Sequence, residues 1–442
     1  MRSLLITVGC VASLAACVKG NPFDVPDLKG RTYEGGSLDI DGCGYSVTTR
    51  PGAEAPQVPK TDVGPAPDVR AVHLGFVGDP ETSMVAQWRT LDDLTEAGIV
   101  RYAEGADLAE GALTETGFVD TFSFRATGSK TFQMHQGHMC NLKPGKEYSY
   151  QVGSDGHFSP VYTFHTAPDI VANPDATVVL GDLGDSRDGY EIWGQLVEQL
   201  SARTPDMILF SGDAVTVGLT QLEWEVFFDK AEPLFARVPV ISAHGNHEVN
   251  AVNYYSQFAM PGDQETFGFD YGYAHITVAN DTPDDVSSLT GKFADAIEAD
   301  MAAHDSARWK LFMHHQPIWS ASTRHGSSTT LLNAWGPIID RHDIDLVLNG
   351  HDHDYEISKP MKGSVVQANN SLGTVFVVMG GAGAELYGNG ADFWTETSEM
   401  TYAGSIISVS RDTLQLDAFR QDGSPITCNT CAYPTGFKKT KN

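Results

Sequence analysis

Basic residues are scarce in this chain. Only 29 Lys and Arg stand against 57 Asp and Glu, a formal charge of −28. Such a surface repels phosphate backbones, which excludes nucleic acid as a main partner. The acidic residues are spread along the chain, as on a solvated surface, and not gathered in a tail. Long apolar runs are missing too. The N-terminal run Leu4–Ala16 is too short to cross a bilayer, and no other segment approaches the length of a spanning helix. Repeats are absent, which excludes a solenoid. Cysteines number six in 442 residues, too few for a fold held mainly by disulfides.

The first residues predict a compartment. Arg2 precedes the apolar run, which ends in Leu14-Ala15-Ala16-Cys17. That ending resembles the cleavage and lipidation box of a bacterial lipoprotein; the plainer alternative is an ordinary signal peptide cut at the same small residues. The expectation is a signal over 1–17, a lipid on Cys17 as the sole membrane attachment, and a place in the bacterial cell envelope, periplasmic or surface-exposed. Residues 18–67 hold many Gly, Pro and Asp and read as a tether with one short ordered piece around Cys43. Cys10 leaves with the signal. Cys43, Cys140, Cys428 and Cys431 remain and allow three pairings. Cys428-Asn429-Thr430-Cys431 reads as a local disulfide in the tail 421–442 rather than a redox motif or half a zinc site. Cys43 and Cys140 would then pin the tether to the next domain.

What is present is a series of five polar motifs, each behind a short aliphatic run. They are Gly181-Asp182-Leu183-Gly184, Ser211-Gly212-Asp213, Gly245-Asn246-His247-Glu248, His314-His315-Gln316-Pro317 and Gly350-His351-Asp352-His353. The runs Thr177–Leu180, Met207–Phe210, Val238–Ser242, Leu311–Met313 and Leu346–Leu348 predict buried strands. Amphipathic helices are predicted over Glu191–Leu200, Gln221–Phe235 and Phe293–His304. Asp182 and Asp213 lie 31 positions apart, the length of a strand–helix–strand unit. Every motif is therefore expected on a loop at the carboxyl end of a strand, where open α/β sheets gather their ligands.

Two Asp, one Asn and three or more His form a donor set for two adjacent cations. A bridging carboxylate, with Asp213 the natural candidate, offsets the repulsion between them. Imidazole and amide donors leave the site net positive for a phosphate. Two such ions about 3.5–4 Å apart would clamp phosphoryl oxygens and turn a bound water into hydroxide near neutral pH. One Gly-His-x-His alone would be weak. Five motifs in this order, each behind a strand, are strong, because the alternative of helix caps and ordinary loop histidines must be invoked five times.

On these motifs the chain resembles the purple acid phosphatase branch of the calcineurin-like metallophosphoesterases, from about Val69 to Phe419. The resemblance implies a four-layer α/β/β/α catalytic sandwich over 174–420, behind an all-β, fibronectin-III-like sandwich over 68–168. It implies two metal ions, drawn from Fe, Zn and Mn. Asp182, Asp213 and His353 would hold the first, and Asp213, Asn246, His315 and His351 the second. His315 is chosen over His314 because the family ligand stands two residues before a proline, here Pro317. His247 would contact the phosphate, and His325 would bond the phosphate or protonate the leaving group.

One departure is visible. The family carries a metal-binding tyrosine three residues after the bridging aspartate, and here Thr216 stands there. Threonine is a poor metal ligand. The first motif has Gly184 where other branches carry a metal-binding His. Tyr190 is a possible substitute. A colourless enzyme is expected, with Zn²⁺, Mn²⁺ or Fe²⁺.

The segment Val69–His165 alternates apolar and polar residues, as in Met84-Val85-Ala86-Gln87-Trp88 and Tyr148-Ser149-Tyr150-Gln151-Val152. That pattern predicts short antiparallel strands. The end of the segment, Tyr162–Pro168, is similar to the last strand of the family's N-terminal domain. The segment reads as a packing module, with His135 and His138 exposed. Gly380-Gly381-Ala382-Gly383 lacks the Lys of a phosphate-binding loop and reads as a turn at the rim of the site. Trp319, Trp394 and Tyr387 are candidates for the rim or for packing. The leading function is a phosphomonoesterase acting on a small phosphate ester. A phosphodiesterase or nucleotide pyrophosphatase is the alternative, and a non-catalytic surface protein with a degraded site is the third reading.

Overall fold

The computed structural model describes residues 34–441, apart from 59, 109–112, 117 and 123–131. The lipidation box with Cys17 lies outside the described residues. A small hairpin pairs Gly36–Asp39 with Ser46–Thr49, and the disulfide Cys43–Cys140 fastens it to the next domain. The ordered piece expected around Cys43 is this hairpin.

The next domain is all-β. One sheet holds Arg70–Gly75, Met84–Thr90, Phe132–Met139 and Phe118–Phe122; the other holds Ile99–Glu104, Glu147–Ser154, Tyr162–His165, His157–Phe158 and Leu113–Thr116. Val72, Leu74, Ala86, Trp88, Val100, Tyr150 and Phe164 fill the space between them. His135 and His138 were expected to be exposed, and both are buried. His135 stacks on Trp88 with ring centroids 5.1 Å apart, and His138 bonds the Tyr45 hydroxyl at 2.9 Å. Burial pushes each imidazole down to about 3, so both stay neutral and pack as aromatic rings. Alternation does not reveal this, because both faces of the strand are covered from Gln133 to Met139.

The C-terminal half contains two mixed sheets. The first runs Val240–Ser242, Met207–Phe210, Val178–Leu183, Ala403–Val409, Thr413–Arg420, Gly436–Thr440. The second runs Thr266–Tyr271, Ala274–Ala279, Trp309–Met313, Leu346–Asn349, Val375–Met379, Tyr355–Ser358, Thr395–Glu399. Strand periodicity builds the layers. Leu311, Met313, Leu346, Leu348, Val375 and Val377 point to the core between the sheets. Phe312, Val347 and Phe376 point outward, to a second core under the helices Lys292–Ala303, Thr329–Ala334 and Gly336–Arg341. Tyr190–Ser201 and Gln221–Phe235 cover the first sheet through Trp193, Leu200, Trp224 and Phe227. The order is helix, sheet, sheet, helix, with an all-β domain in front.

Two segments differ from expectation. The tail 421–442 carries an edge strand, Gly436–Thr440, paired antiparallel with Thr413–Asp417. Its sequence, Gly-Phe-Lys-Lys-Thr, gives little apolar signal. Phe437 enters the core, and Lys439 is buried against the Asp345 carboxylate at 2.7 Å. The Cys428–Cys431 disulfide forms as expected. The second difference is at the first motif. The strand Val178–Leu183 runs through Asp182, which pairs with Leu209 and Ser405 instead of lying on a loop.

Candidate metal centre

The motifs meet at the carboxyl ends of the parallel strands Val178–Leu183, Met207–Phe210 and Val240–Ser242 in the first sheet and Trp309–Met313 and Leu346–Asn349 in the second. Asp185, Asp213 and His351 adopt left-handed backbone, at φ 59°, 57° and 68°. Non-glycine residues take such angles at a cost, and they cluster where side chains must be aimed. Gly212, at φ 97°, makes the turn before Asp213. Gly350 is required by close approach, because a Cβ there would meet Asp185 Oδ2 at 2.3 Å.

Asp213, His315 and His351 each bring a ligand atom within 4.8 Å of the others. His315 Nδ1 donates to the Ser211 carbonyl at 2.8 Å, which aims Nε2 inward. That Nε2 lies 3.1 Å from Asn246 Oδ1, 3.2 Å from His351 Nδ1 and 3.4 Å from Asp213 Oδ1. Four predicted residues of the second ion thus converge. His314, its neighbour, turns away to Asp281 at 3.1 Å. Burial lowers the His315 pKa, but Asp213, Asp185 and Asp281 outweigh it and hold the pKa well above the ordinary range. His351 goes the other way, to about 3, through burial and the neighbouring His315 and His325. Burial would raise Asp213, yet His315 and His247 hold its carboxyl well below the usual range.

Glu248 fixes the loop geometry from behind. Its buried carboxylate accepts from the amides of Asp213 at 2.9 Å, Ala214 at 2.7 Å and Gly245 at 2.8 Å. The motif supplying Asn246 and His247 is thereby tied to the one supplying Asp213.

The other half of the site contains Asp182, Asp185 and His353. Asp182 Oδ2 accepts from the Ser405 hydroxyl at 3.1 Å, while its Oδ1 is buried without a partner. Burial raises its pKa to about 7, against the opposing Ser405 bond. Asp185, which the sequence reading did not single out, stands 3.5 Å from His353 Nε2 and accepts from the His351 amide at 2.8 Å. Its Oδ1 is also buried without a hydrogen-bond partner. His353 Nδ1 donates to the Glu385 carbonyl at 2.7 Å, which leaves the Nε2 lone pair facing the cluster. Bare buried carboxylate oxygens and aimed imidazole lone pairs are what cations require, so these residues fit a metal centre.

The residues at the mouth are also defined. His247 Nδ1 donates to the Thr216 carbonyl at 2.6 Å, and its Nε2 lies 3.9 Å from Asp213 Oδ2. His325 stacks on His351 with centroids 4.2 Å apart, and its Nδ1 lies 3.3 Å from Asp352 Oδ1. Asp352 is fully buried and is braced by the Ser320 hydroxyl at 2.7 Å and the Gly326 amide at 3.1 Å. Tyr387 stacks on His353 at 3.9 Å and belongs to the site. Trp319 and Trp394 pack on each other at 5.0 Å, with Trp319 in the outer core. Gly380–Gly383 lies beneath the first motif, where the Ala382 amide donates to the Gly184 carbonyl at 2.9 Å. Tyr190 does not replace the missing tyrosine. Its hydroxyl reaches the Ala214 carbonyl and Glu223, each at 3.4 Å, and burial followed by Glu223 pushes its pKa far up. The Thr216 hydroxyl donates to Asp188 at 2.7 Å, away from the cluster.

This arrangement is that of a metallophosphoesterase. Residues 176–355 match the family Calcineurin-like phosphoesterase, and residues 69–166 match the family Purple acid Phosphatase, N-terminal domain. An uncharacterized protein of Mycobacterium tuberculosis is 26% identical over 375 residues, covering 72% of this chain and 70% of that protein. Purple acid phosphatase 21 of Arabidopsis thaliana is 24% identical over 332 residues, covering 71% of each. The structure of purple acid phosphatase PPD1 from yellow lupin (Lupinus luteus) seeds superposes with a TM-score of 0.71 at 17% identity, covering 84% of this chain and 74% of that one. The chain carries a calcineurin-like phosphoesterase domain behind a purple acid phosphatase N-terminal domain. It is a phosphoesterase hydrolase, and its family implies a dinuclear metal centre.

Proposed function

We propose that the chain hydrolyses phosphate monoesters. The observation that carries this reading is the pair of imidazoles, His247 and His325, flanking the donor cluster, each oriented by a group behind it. The ions held by Asp182, Asp213, Asn246, His315, His351 and His353, with Asp185 beside them, would neutralise the phosphoryl oxygens and acidify an attacking water. The remaining work falls to side chains. The Thr216 carbonyl holds the His247 Nδ1 proton, so the ring's Nε2 faces Asp213 and, when protonated, donates to a phosphate oxygen. Asp352 Oδ1 lies 3.3 Å from Nδ1 of His325, so Nε2 is the nitrogen that would give a proton to the departing alkoxide. A leaving group that needs this proton suits an ester of an ordinary alcohol.

The oxygen and imidazole donor set favours Zn²⁺, Mn²⁺ or Fe²⁺, with no tyrosinate to favour a trivalent ion. The box Leu14-Ala15-Ala16-Cys17 supports a location in the cell envelope, with a lipid on Cys17 as the anchor. The test compares p-nitrophenyl phosphate with bis-p-nitrophenyl phosphate on protein starting after Cys17, stripped of metal and reloaded with one metal at a time. Faster monoester turnover with two ions per chain supports the proposal, and faster diester turnover replaces it with a phosphodiesterase. On an alkyl phosphate, whose leaving group needs a proton, His325→Ala is expected to slow turnover about 10²–10⁴-fold while both ions stay bound. Loss of metal in that variant would make His325 a ligand instead.

A further inference from the structure

We infer that Arg187 is a built-in cation at the first metal position and sets how tightly an ion binds there. The inference rests on the two-metal reading above. Arg187 follows Asp185 by two residues, on the loop leading into the helix Tyr190–Ser201. Its guanidinium turns inward. Nη2 donates to His353 Nε2 at 3.2 Å and to the Tyr387 hydroxyl at 3.2 Å. Nε is buried without a hydrogen-bond partner, 3.7 Å from Asp213 Oδ2.

The contact with His353 is the informative one. Because His353 Nδ1 donates to the Glu385 carbonyl, its Nε2 carries the lone pair an ion would take. Arg187 caps that lone pair. It also neutralises part of the charge on Asp213, which would bridge the two ions. Loading this position requires the guanidinium to leave. Asp188, exposed and 3.7 Å from Nη1, is the carboxylate to which it can turn.

The other position is organised differently. His315 Nε2 is in contact with Asn246, His351 and Asp213, and its contacts among the described residues include no guanidinium or ammonium group. Thr216 sharpens the contrast. Its hydroxyl is given to Asp188, so it contributes no anion toward the cluster. A unit positive charge near 4 Å from a divalent ion weakens binding by well over tenfold, even at an effective dielectric constant of about 20. Partial movement of the side chain reduces this, and about tenfold is the effect to expect. The two equivalents should therefore bind in order. The first goes to the Asp213, Asn246, His315 and His351 side, and the second to the side Arg187 guards.

The experiment is a calorimetric titration of the metal-stripped chain with Zn²⁺, with bound zinc counted after gel filtration. Wild type, Arg187→Gln and Arg187→Lys are compared, and thermal unfolding confirms that each is folded. Arg187→Gln is expected to tighten the second equivalent about tenfold or more and the first, which shares only Asp213 with it, by less. Arg187→Lys, which keeps the charge, is expected to keep the second equivalent weak. Two equivalents with an unchanged second affinity in Arg187→Gln would overturn the inference and leave the two-metal reading intact. Fewer than two equivalents in both wild type and Arg187→Gln would overturn the two-metal reading itself.

Discussion

At the scale of single residues, the site trades stability for binding. Asp182 sits in an interior strand, between Met207–Phe210 and Ala403–Val409, fully buried, with one oxygen given to Ser405 and the other bare. Without an ion, burial lifts its pKa to about 7. The sign follows: a carboxyl raised above its unfolded value of about 3.9 costs stability as pH climbs from that value through 7. Asp182→Asn keeps a Ser405 contact and removes the charge. The metal-free variant is expected to be more stable than metal-free wild type at pH 8, by on the order of 2–4 kcal/mol. With zinc added, wild type should gain more than the variant, so the order of melting temperatures narrows or reverses. Equal metal-free stabilities would show that the carboxylate is not penalised. Asp213, Asn246, His315, His351 and His353 were legible as a group because each ends an aliphatic run. Asp185 and Arg187 were not. Asp185 stands three positions after Asp182, and only its left-handed backbone turns it into the site. Arg187 is a lone basic residue in a loop, and nothing in its neighbours indicates which way it points.

At the scale of elements, the helices and core strands followed from period and length, while hidden ionic contacts did not. His275 shows the difference. It lies in the strand Ala274–Ala279, whose other residues are apolar or Thr, and nothing in that run marks it. In the fold its Nδ1 meets Asp270 of the neighbouring strand at 2.8 Å, and its Nε2 meets Asp300 of the helix Lys292–Ala303 at 3.1 Å. His304, at the end of that helix, stacks on it at 3.7 Å. Burial alone would lower the His275 pKa, but Asp270 and Asp300 raise it to about 9. Both carboxyls move down accordingly, Asp270 through the His275 bond and Asp300 against its own burial. A histidine raised above its unfolded value of about 6.5 contributes stability that is fully present below that pH and lost as pH rises through 9. Asp270 is largely exposed, so solvent screening reduces the effect to about 1–2 kcal/mol. His275→Gln should therefore melt below wild type at pH 6, and the gap should close by pH 10. A gap independent of pH would mean that packing, not charge, holds this helix.

At the scale of the molecule, the division into an all-β part and a layered catalytic part was legible, because periodicity changes from two to runs with intervening helices near residue 170. How the parts join was not, since interdomain contacts carry no local pattern. Many of them fall on the helix Gln221–Phe235 and the residue after it. His73 stacks on Phe228 at 4.2 Å, Tyr162 donates to Glu232 at 2.8 Å, and Arg89 pairs with Glu225. The Tyr150 hydroxyl, fully buried, donates to the Ala236 carbonyl at 2.7 Å. The same helix covers the sheet that carries Asp182 and Asp213, and Glu223 in its first turn accepts from the Thr216 amide. The all-β domain thus presses on the element that backs the site. If the two parts are coupled through this helix, they unfold together. Tyr150→Phe removes the hydroxyl and leaves a buried carbonyl short of a donor, a cost of about 1–3 kcal/mol. The expected calorimetric result is a single transition in both proteins, displaced downward in the variant by a few degrees. Two transitions in the variant, with only the earlier one moved, would show domains that merely touch. Zinc titration of the same samples ties the result to the site, because an ion bound to the catalytic half should then raise the melting of the all-β half as well.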